Sequence, residues 1–450
     1  MKPPKGTRNF GPKDVFIRKN IFEIIEDCFK NYGGRPVDTS LIERSLNVFG
    51  DEFNKLVYKI KDDRICDGDT PKPRLRACDG KEKEQLILRY DLTLPIARYV
   101  ADNGLVQFKG YQIGKVYRKD NPQIAKGRYR EFYQCDFDIF GNNICLMIQE
   151  IEILNLLNDI LEKLLGKHTF TIVINHRELL FWLLHKFGVP KELSATVYST
   201  LDKLYKKDKT EIFDELTIKK IPTDAILNIM KFIDFYESIC SGNNEGILKN
   251  LLAEGYIDTD HELYFLLYNL QQNQILNIKF DPLLARGMDY YSGLIYEVIY
   301  NDRVVMDSSI AAGGRYDNLV EKLGNKSVSA IGLSIGIERI ICILDKKVIS
   351  MESAMFAYVV TLGQVNISDR SRLTLAIRNK GIPCDMSYKK FPTLTQQWST
   401  ILSARIVYLI IIGPKEMSNG TISIKDIRRK IQWEIDREKG IEFLASQYLK

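Results

Sequence analysis

The chain has 450 residues, 45% of them apolar, with 64 Lys and Arg against 58 Asp and Glu for a formal net charge of +6. That length suggests roughly two to four domains, the apolar content allows a sizeable core, and the mild charge permits a polyanionic partner without demanding one. Eight cysteines without a C-x-x-C pair argue against a disulfide frame or zinc site. His168, His176, His185 and His261 lack metal-ligand spacing and read as structural. No stretch reaches the roughly 18 apolar residues of a membrane span, and the opening MKPPKGTRNF has no apolar signal run. The cytosol, with reduced thiols, is the expected address.

In chain order, Ile17 to Tyr32 shows helical spacing, closed by Gly33-Gly34. Asp62 to Glu84 is charged and Pro/Gly-punctuated, an exposed insertion between strands. Leu86 to Leu88 reads as a strand and Leu94 to Ala101 as a helix. Gly110 to Tyr117 and Tyr129 to Phe140 read as two strands joined by a basic loop. Leu146 to Leu165 is an amphipathic helix, and Phe170 to Ile174 a strand.

From about His176 to Gln274 strand signals nearly vanish, so a helical domain is inserted there. Its lysine clusters (Lys203, Lys206, Lys207 and Lys209; Lys219 and Lys220) read as solvated helix faces. Strands are expected at Leu294 to Tyr300 and Val304 to Ala311, and helices at Asp317 to Leu323 and Gly336 to Leu344. After a connector, strands at Tyr358 to Thr361 and Ile406 to Ile412 alternate with helices at Arg370 to Asn379 and Thr393 to Ala404. That rhythm suggests a small α/β unit around a mainly parallel sheet.

The strand pair at 110–140 is an antiparallel hairpin. Period-two alternation puts Arg130, Phe132, Gln134, Asp136 and Asp138 on one face, and Glu131, Tyr133, Cys135, Phe137 and Ile139 on the other. The second set belongs against helices. The first could meet water, as antiparallel sheets often do, or face a site. Three glycine–arginine segments favour a site: Ala285 to Gly293, Gly313 to Asp317 read as a strand-to-helix turn, and Gly332 to Arg339. Glycines admit close approach of backbone to a ligand, and arginines give bidentate contacts to phosphate oxygens.

The segments LRYDLT, YQIGKVYRKDNPQIAKGRYREFYQCDFDIFG, LARGMDYYSG, AAGGRYD and GLSIGIERI closely resemble the class II catalytic domain of histidyl-tRNA synthetases, with the spelling of the eukaryotic-type branch. LARGMDYYSG resembles the histidine-specific signature, and GRYREFYQ and GIER resemble class motifs 2 and 3. The resemblance covers essentially the whole chain. It implies an α+β fold: an antiparallel sheet flanked by helices, a helical insertion and a C-terminal α/β anticodon-binding domain. The implied layout is a catalytic part at 1–175, an insertion at 176–275, a second catalytic part at 276–345, a linker at 346–353 and the anticodon-binding domain at 354–450.

The resemblance implies a homodimer acting on L-histidine, ATP and tRNA(His), with magnesium arriving with ATP and no resident metal. Arg118 and Arg286 would be catalytic, stabilising charge at the α-phosphate. Asp91, Leu92, Thr93 and Gln134 would hold the histidine amino group, and Asp138, Tyr290 and Tyr291 the imidazole. Phe132 and Arg339 would sandwich adenine, and Asp120 and Arg128 would serve ATP with Arg118 and Arg286. Neutral imidazole offers one donor and one acceptor, so a carboxylate and a tyrosine hydroxyl can select it by roughly 10⁴–10⁵ without editing. No editing domain is expected. Asp136 is read as structural. The chain departs from the family at motif 1, where Ser40 replaces the usual proline. The 62–84 stretch is longer than usual, and Lys425 to Lys450 lacks the family's basic-acidic pattern. The competing readings are a non-catalytic paralogue, regulatory or tRNA-sensing, and a plain nucleic-acid scaffold. The intact LARGMDYY segment, Arg118 and Arg339 favour catalysis.

Overall fold

Pro12 suits a first helical turn, where its missing N–H costs nothing. It opens a helix, Pro12–Asn31, that buries Ile17, Ile21, Ile25, Cys28 and Phe29 along one stripe. Gly33 ends it with φ of 78°. The computed structural model describes residues 2–44, 56–60, 85–142, 147–257 except 202, 205 and 206, 262–345 except 274, 276, 286–289 and 325, and 355–448 except 405. The expected insertion at 62–84, the linker at 346–353, His261, Lys206 and Arg286 lie outside these residues. The chain divides into two units, Met1–Val348 and Ile349–Lys450.

The strands of the first unit are β1 (Arg35–Pro36), β2 (Ile42–Arg44), β3 (Leu86–Leu88), β4 (Gln107–Tyr117), β5 (Glu131–Gly141), β6 (Phe170–His176), β7 (Ile278–Phe280), β8 (Leu294–Tyr300), β9 (Ala311–Arg315) and β10 (Ala330–Gly336). Eight form one sheet in the order β1-β4-β5-β10-β9-β8-β6-β7, while β2 and β3 pair separately. Within the large sheet only β1·β4 and β6·β7 are parallel. The odd-numbered side chains of β5, Cys135, Phe137 and Ile139, join one core with the Pro12–Asn31 helix and the Ile148–Leu165 helix. The Phe137 and Phe29 rings lie 5.2 Å apart. The even-numbered face is different. Phe140 packs under the Thr93–Asp102 helix with Tyr316 and Tyr290, and the polar residues before it are closed over rather than wet: Asp136 and Asp138 are 0% exposed.

Two expectations change here. Val304 to Ile310 is not strand. Asp302 Oδ1 accepts from the Val304 and Val305 amides, at 3.1 and 3.2 Å, closing a local turn that competes with strand pairing, and Val304 is left 95% exposed. Gly313 to Arg315 is not a turn but the body of β9, pairing with β10 through Gly313↔Leu333 and Gly314↔Gly332. The glycine is required by packing: a Cβ on Gly313 would lie 2.1 Å from the Gly332 carbonyl oxygen and 2.3 Å from the Tyr296 hydroxyl. Arg315 turns away to Glu150, to Gln149 at 3.0 Å and to Asp317 at 2.9 Å.

Between β6 and β7 the chain is helical: Arg177–Lys186, Ser194–Leu201, Lys209–Ile218, Thr223–Ile239, Asn244–Ala253 and Glu262–Gln272. Its lysines are largely neutralised. Lys203 and Lys219 lie 2.5 and 2.7 Å from Glu215 and pull that carboxyl down to about 2, while Lys209 meets Asp234 and Glu237 at 2.5 and 2.6 Å.

In the second unit β11 (Ala357–Thr361), β12 (Cys384–Met386), β13 (Tyr408–Ile412), β14 (Thr421–Asp426) and β15 (Ile431–Asp436) form a sheet in the order β12-β11-β13-β14-β15. Only its first three strands are parallel to one another; β14 and β15 are antiparallel additions, so the sheet is mixed rather than mainly parallel. The β14–β15 turn is held by Asp426 Oδ1, which accepts from the Arg429 amide at 2.9 Å, with Lys430 at φ of 58°.

Candidate functional site

A cavity of about 470 Å³ opens on the even face of β5. Its wall takes Asp91 and Thr93 from the loop entering the Thr93–Asp102 helix, Arg118, Asp120 and Arg128 from the β4–β5 connection, Phe132 and Gln134 from β5, and Tyr290 and Tyr291 ahead of β8. Arg339, in the first turn of the Ile337–Asp345 helix, completes it. Ten of the residues singled out from the sequence therefore meet in one place. Leu92 does not: its side chain is 0% exposed in the core, below the wall. Asp138 lies beneath the wall too, and its carboxylate accepts from the Tyr316 hydroxyl. Tyr316 in turn meets Tyr290 edge-on, ring centroids 5.9 Å apart. Asp138 thus reaches the cavity through two tyrosines.

Arg118 is held from several sides. Its guanidinium carbon sits 4.3 Å from the Tyr90 ring centre and 5.1 Å from that of Phe132. Its Nε donates to the Tyr90 carbonyl and its Nη2 to Gln134 Oε1, both at 3.2 Å. Such stacking and bonding fix a planar cation in place. Arg128 donates through Nε to Asp120 at 2.7 Å. Arg339 donates to the Ser309 carbonyl, and its backbone comes close to Gly127, where a Cβ would sit 3.1 Å from the Arg339 Cα; φ of 66° at Gly127 allows the tight return of the loop.

The floor is acidic. Asp91 Oδ1 accepts from the Leu94 amide at 3.1 Å, fixing the start of the helix, and burial raises its pKa. Burial pushes Asp136 up to about 7, with Asp91 nearby adding to the rise. Burial raises Asp138 well above the usual carboxylate range, with Asp136 adding to it. Glu338 is likewise lifted to about 7 by burial; its Oε2 accepts from the Tyr133 amide at 2.9 Å, tying the last helix of this unit to β5. The arrangement suits a zwitterionic or multiply charged ligand: a cationic group against the buried acids and anionic oxygens against Arg118 and Arg128.

Tyr90, Asp136, Ser334 and Glu338 also line the cavity. Asp136, expected to be structural, is thus part of the cavity wall; alternation places it on the same face as Asp138 but does not say which is nearer the cavity. Ser334 carried no signal, since nothing local in GLSIGIER shows that it stands opposite Asp136.

A family model described as histidyl-tRNA synthetase matches residues 6–340, and one described as an anticodon binding domain matches residues 356–447. The chain is 36% identical to the cytoplasmic histidine–tRNA ligase of Dictyostelium discoideum, over 97% of this chain and 89% of that protein. It is 33% identical to the mitochondrial histidine–tRNA ligase of Mus musculus, over 97% of this chain and 86% of that one. Among solved structures, histidyl-tRNA synthetase from Nostoc sp. PCC 7120 superposes with a TM-score of 0.75 at 22% identity, covering 99% of both chains. A Bacillus halodurans C protein described as an ATP phosphoribosyltransferase regulatory subunit/histidyl-tRNA synthetase shares the fold at a TM-score of 0.68 and 19% identity, covering 92% of this chain and 98% of that one.

The buried acids have a consequence for stability. A carboxyl whose folded pKa lies above its unfolded value favours folding while protonated; that contribution is complete below about pH 4 and is lost as pH rises through the folded value, about 7 for Asp136. Asp136→Asn should therefore raise the melting temperature at pH 8 and change it little at pH 4. Equal shifts at both pH values, by calorimetry, would contradict a cost arising from buried charge.

Proposed function

The chain belongs to the histidyl-tRNA synthetase family, and from that premise we propose how its cavity divides the work of a histidine–tRNA ligase. The enzyme joins L-histidine to tRNA(His). In the first step a histidine carboxylate oxygen attacks the α-phosphorus of ATP, the bond to the bridging oxygen breaks, and pyrophosphate leaves with the electron pair. In the second the terminal ribose hydroxyl of tRNA attacks the carbonyl carbon and AMP leaves. The first nucleophile is already an anion, so the step needs charge stabilisation more than a base. Arg118, fixed between Tyr90 and Phe132, answers that need, and Arg286 is assigned to the same phosphate.

ATP enters as its magnesium salt, a substrate. Phe132 and Arg339 take adenine, and Arg128, oriented by Asp120, reaches the outer phosphates. Asp91, Thr93 and Gln134 take the histidine ammonium. Tyr290 and Tyr291 receive the imidazole, with Asp138 setting Tyr316 behind them. Leu92 contributes by holding the Asp91 loop in the core. The observation that carries this reading is that buried acids and arginines meet in the walls of one cavity. The catalytic parts are 1–175 and 276–345, with the helical insertion at 176–275, and the unit after the linker takes the anticodon. The proposed compartment is the cytosol, in line with relatives named cytoplasmic; among the described residues no helix is long and apolar enough to cross a membrane.

A homodimer is the proposed assembly. Leu41 and Ile42, beside Ser40 in the motif 1 segment, are 41% and 49% exposed, and a second copy covering them would remove that apolar surface from water. Sedimentation should give a dimer that Ile42→Asp shifts toward monomer; a monomeric wild type contradicts the assembly.

Histidine-dependent ATP–pyrophosphate exchange tests the activity. Only histidine should support it strongly, and Arg118→Ala should lower it by about 10²–10³ fold, the usual cost of removing one preorganised donor. Exchange indifferent to the amino acid supplied would sink the reading.

A further inference from the structure

Four side chains of the cavity form one continuous hydrogen-bonded line. Arg118 Nη2 donates to Gln134 Oε1 at 3.2 Å. Gln134 Nε2 donates to Ser334 Oγ. Ser334 Oγ donates to Asp136 Oδ1 at 2.5 Å. The line crosses from β5 to β10 and back, because Asp136 stands opposite Ser334 and Gln134 opposite Gly336 in the antiparallel register.

The two ends of this line have opposite and fixed polarity. A guanidinium only donates, and the Asp136 carboxylate, once ionised above about pH 7, only accepts. The two middle groups are ambivalent: a glutamine amide can be turned end for end, and a hydroxyl can point its proton either way. Between a pure donor and a pure acceptor only one arrangement satisfies every bond. Gln134 must show its oxygen to Arg118 and its nitrogen to Ser334, and Ser334 must spend its proton on Asp136. Take away the acceptor end and Ser334 can reverse. The amide can then turn its NH₂ toward Arg118, placing two donors face to face.

We propose that Ser334 and Asp136 are positioning residues, a relay that sets the direction of the Gln134 amide and, through it, the seat of Arg118. Neither touches the reacting atoms by this account. They act through Gln134, the residue assigned to the histidine amino group, so the inference rests on the ligase reading. Burial strengthens the case. Asp136 is 0% exposed and Gln134 7%, and an unmet buried polar group is costly. The relay claims Oδ1 of the pair, and the Leu92 amide lies close enough to the carboxyl to favour its ionised form.

The test is histidine-dependent ATP–pyrophosphate exchange with the full-length chain as wild type, Ser334→Ala, Ser334→Thr, Asp136→Asn and the double variant Ser334→Ala with Asp136→Asn, with melting temperatures alongside. Asn can offer Ser334 either its oxygen or its nitrogen, so it removes the fixed polarity while keeping the shape. Ser334→Ala and Asp136→Asn should each raise the KM for histidine about tenfold, in the range expected for one charge-assisted hydrogen bond, while the KM for ATP moves less than twofold. Ser334→Thr, which keeps the hydroxyl, should restore the wild-type value. The double variant should be no worse than the poorer single one, since both break the same line. A histidine KM within twofold of wild type for Ser334→Ala overturns the relay, because a role for the Asp136 charge alone would leave that variant unharmed. Single effects that multiply in the double variant overturn it as well, as does a lowered melting temperature with unchanged KM values. Absence of histidine-dependent exchange in the wild type would instead remove the ligase reading itself.

Discussion

The register between β5 and β10 is the constraint on which the site depends. Seven consecutive pairs, from Ala330↔Phe140 to Gly336↔Gln134, set what stands across from each polar side chain. Asp136 meets a serine. Asp138 meets a glycine at 332, where a Cβ would lie 2.0 Å from Asp138 Oδ1; the absent side chain makes room for a carboxylate that Tyr316 then reaches. A slip of one residue would turn every side chain of β10 to the other face. The apolar odd face of β5, locked against two helices, resists such a slip. The core that makes the sheet stable thereby also fixes the geometry of the cavity.

Charge follows from the same arrangement. Three aspartates and a glutamate sit at or under the cavity floor, each pushed upward by burial, while arginines hold the walls and rim. Burying like charges together costs stability, and a site that does so gains when a cation arrives. An amino acid's ammonium is such a cation, and the phosphates of a nucleotide are the matching anions for Arg118 and Arg128. On the proposed reading, the separation of acid floor from basic wall would orient the two substrates with the carboxylate of one toward the α-phosphate of the other.

Much of this was legible in the sequence, and the failures have physical causes. Helical spacing gave the Pro12–Asn31 helix and the inserted helices, because a buried stripe repeats in the chain itself. Alternation gave the two faces of β5. The resemblance favours Asp138 over Asp136 for the site, whereas Asp136 lines the cavity; what distinguishes them, Ser334 and Gly332, lies about 200 residues away on β10. Val304 to Ile310 looked like strand from its β-branched residues, but Asp302 captures the local amides first. The hairpin of β14 and β15 went unseen because its turn has no glycine, asparagine or proline; Lys430 takes the left-handed conformation instead. The glycines of β9 suggested a turn, whereas a neighbouring tyrosine ring demanded them.

The central claim is that one cavity, floored by Asp91, Gln134 and Asp136 and walled by Arg118, Phe132 and Arg339, holds both small substrates. A crystal structure with histidine and an unreactive ATP analogue tests it most directly. The account predicts the histidine ammonium within hydrogen-bonding distance of Asp91 and Gln134, adenine against Phe132, and the α-phosphate at Arg118. Histidine or nucleotide bound elsewhere, with this cavity filled only by water, would contradict it.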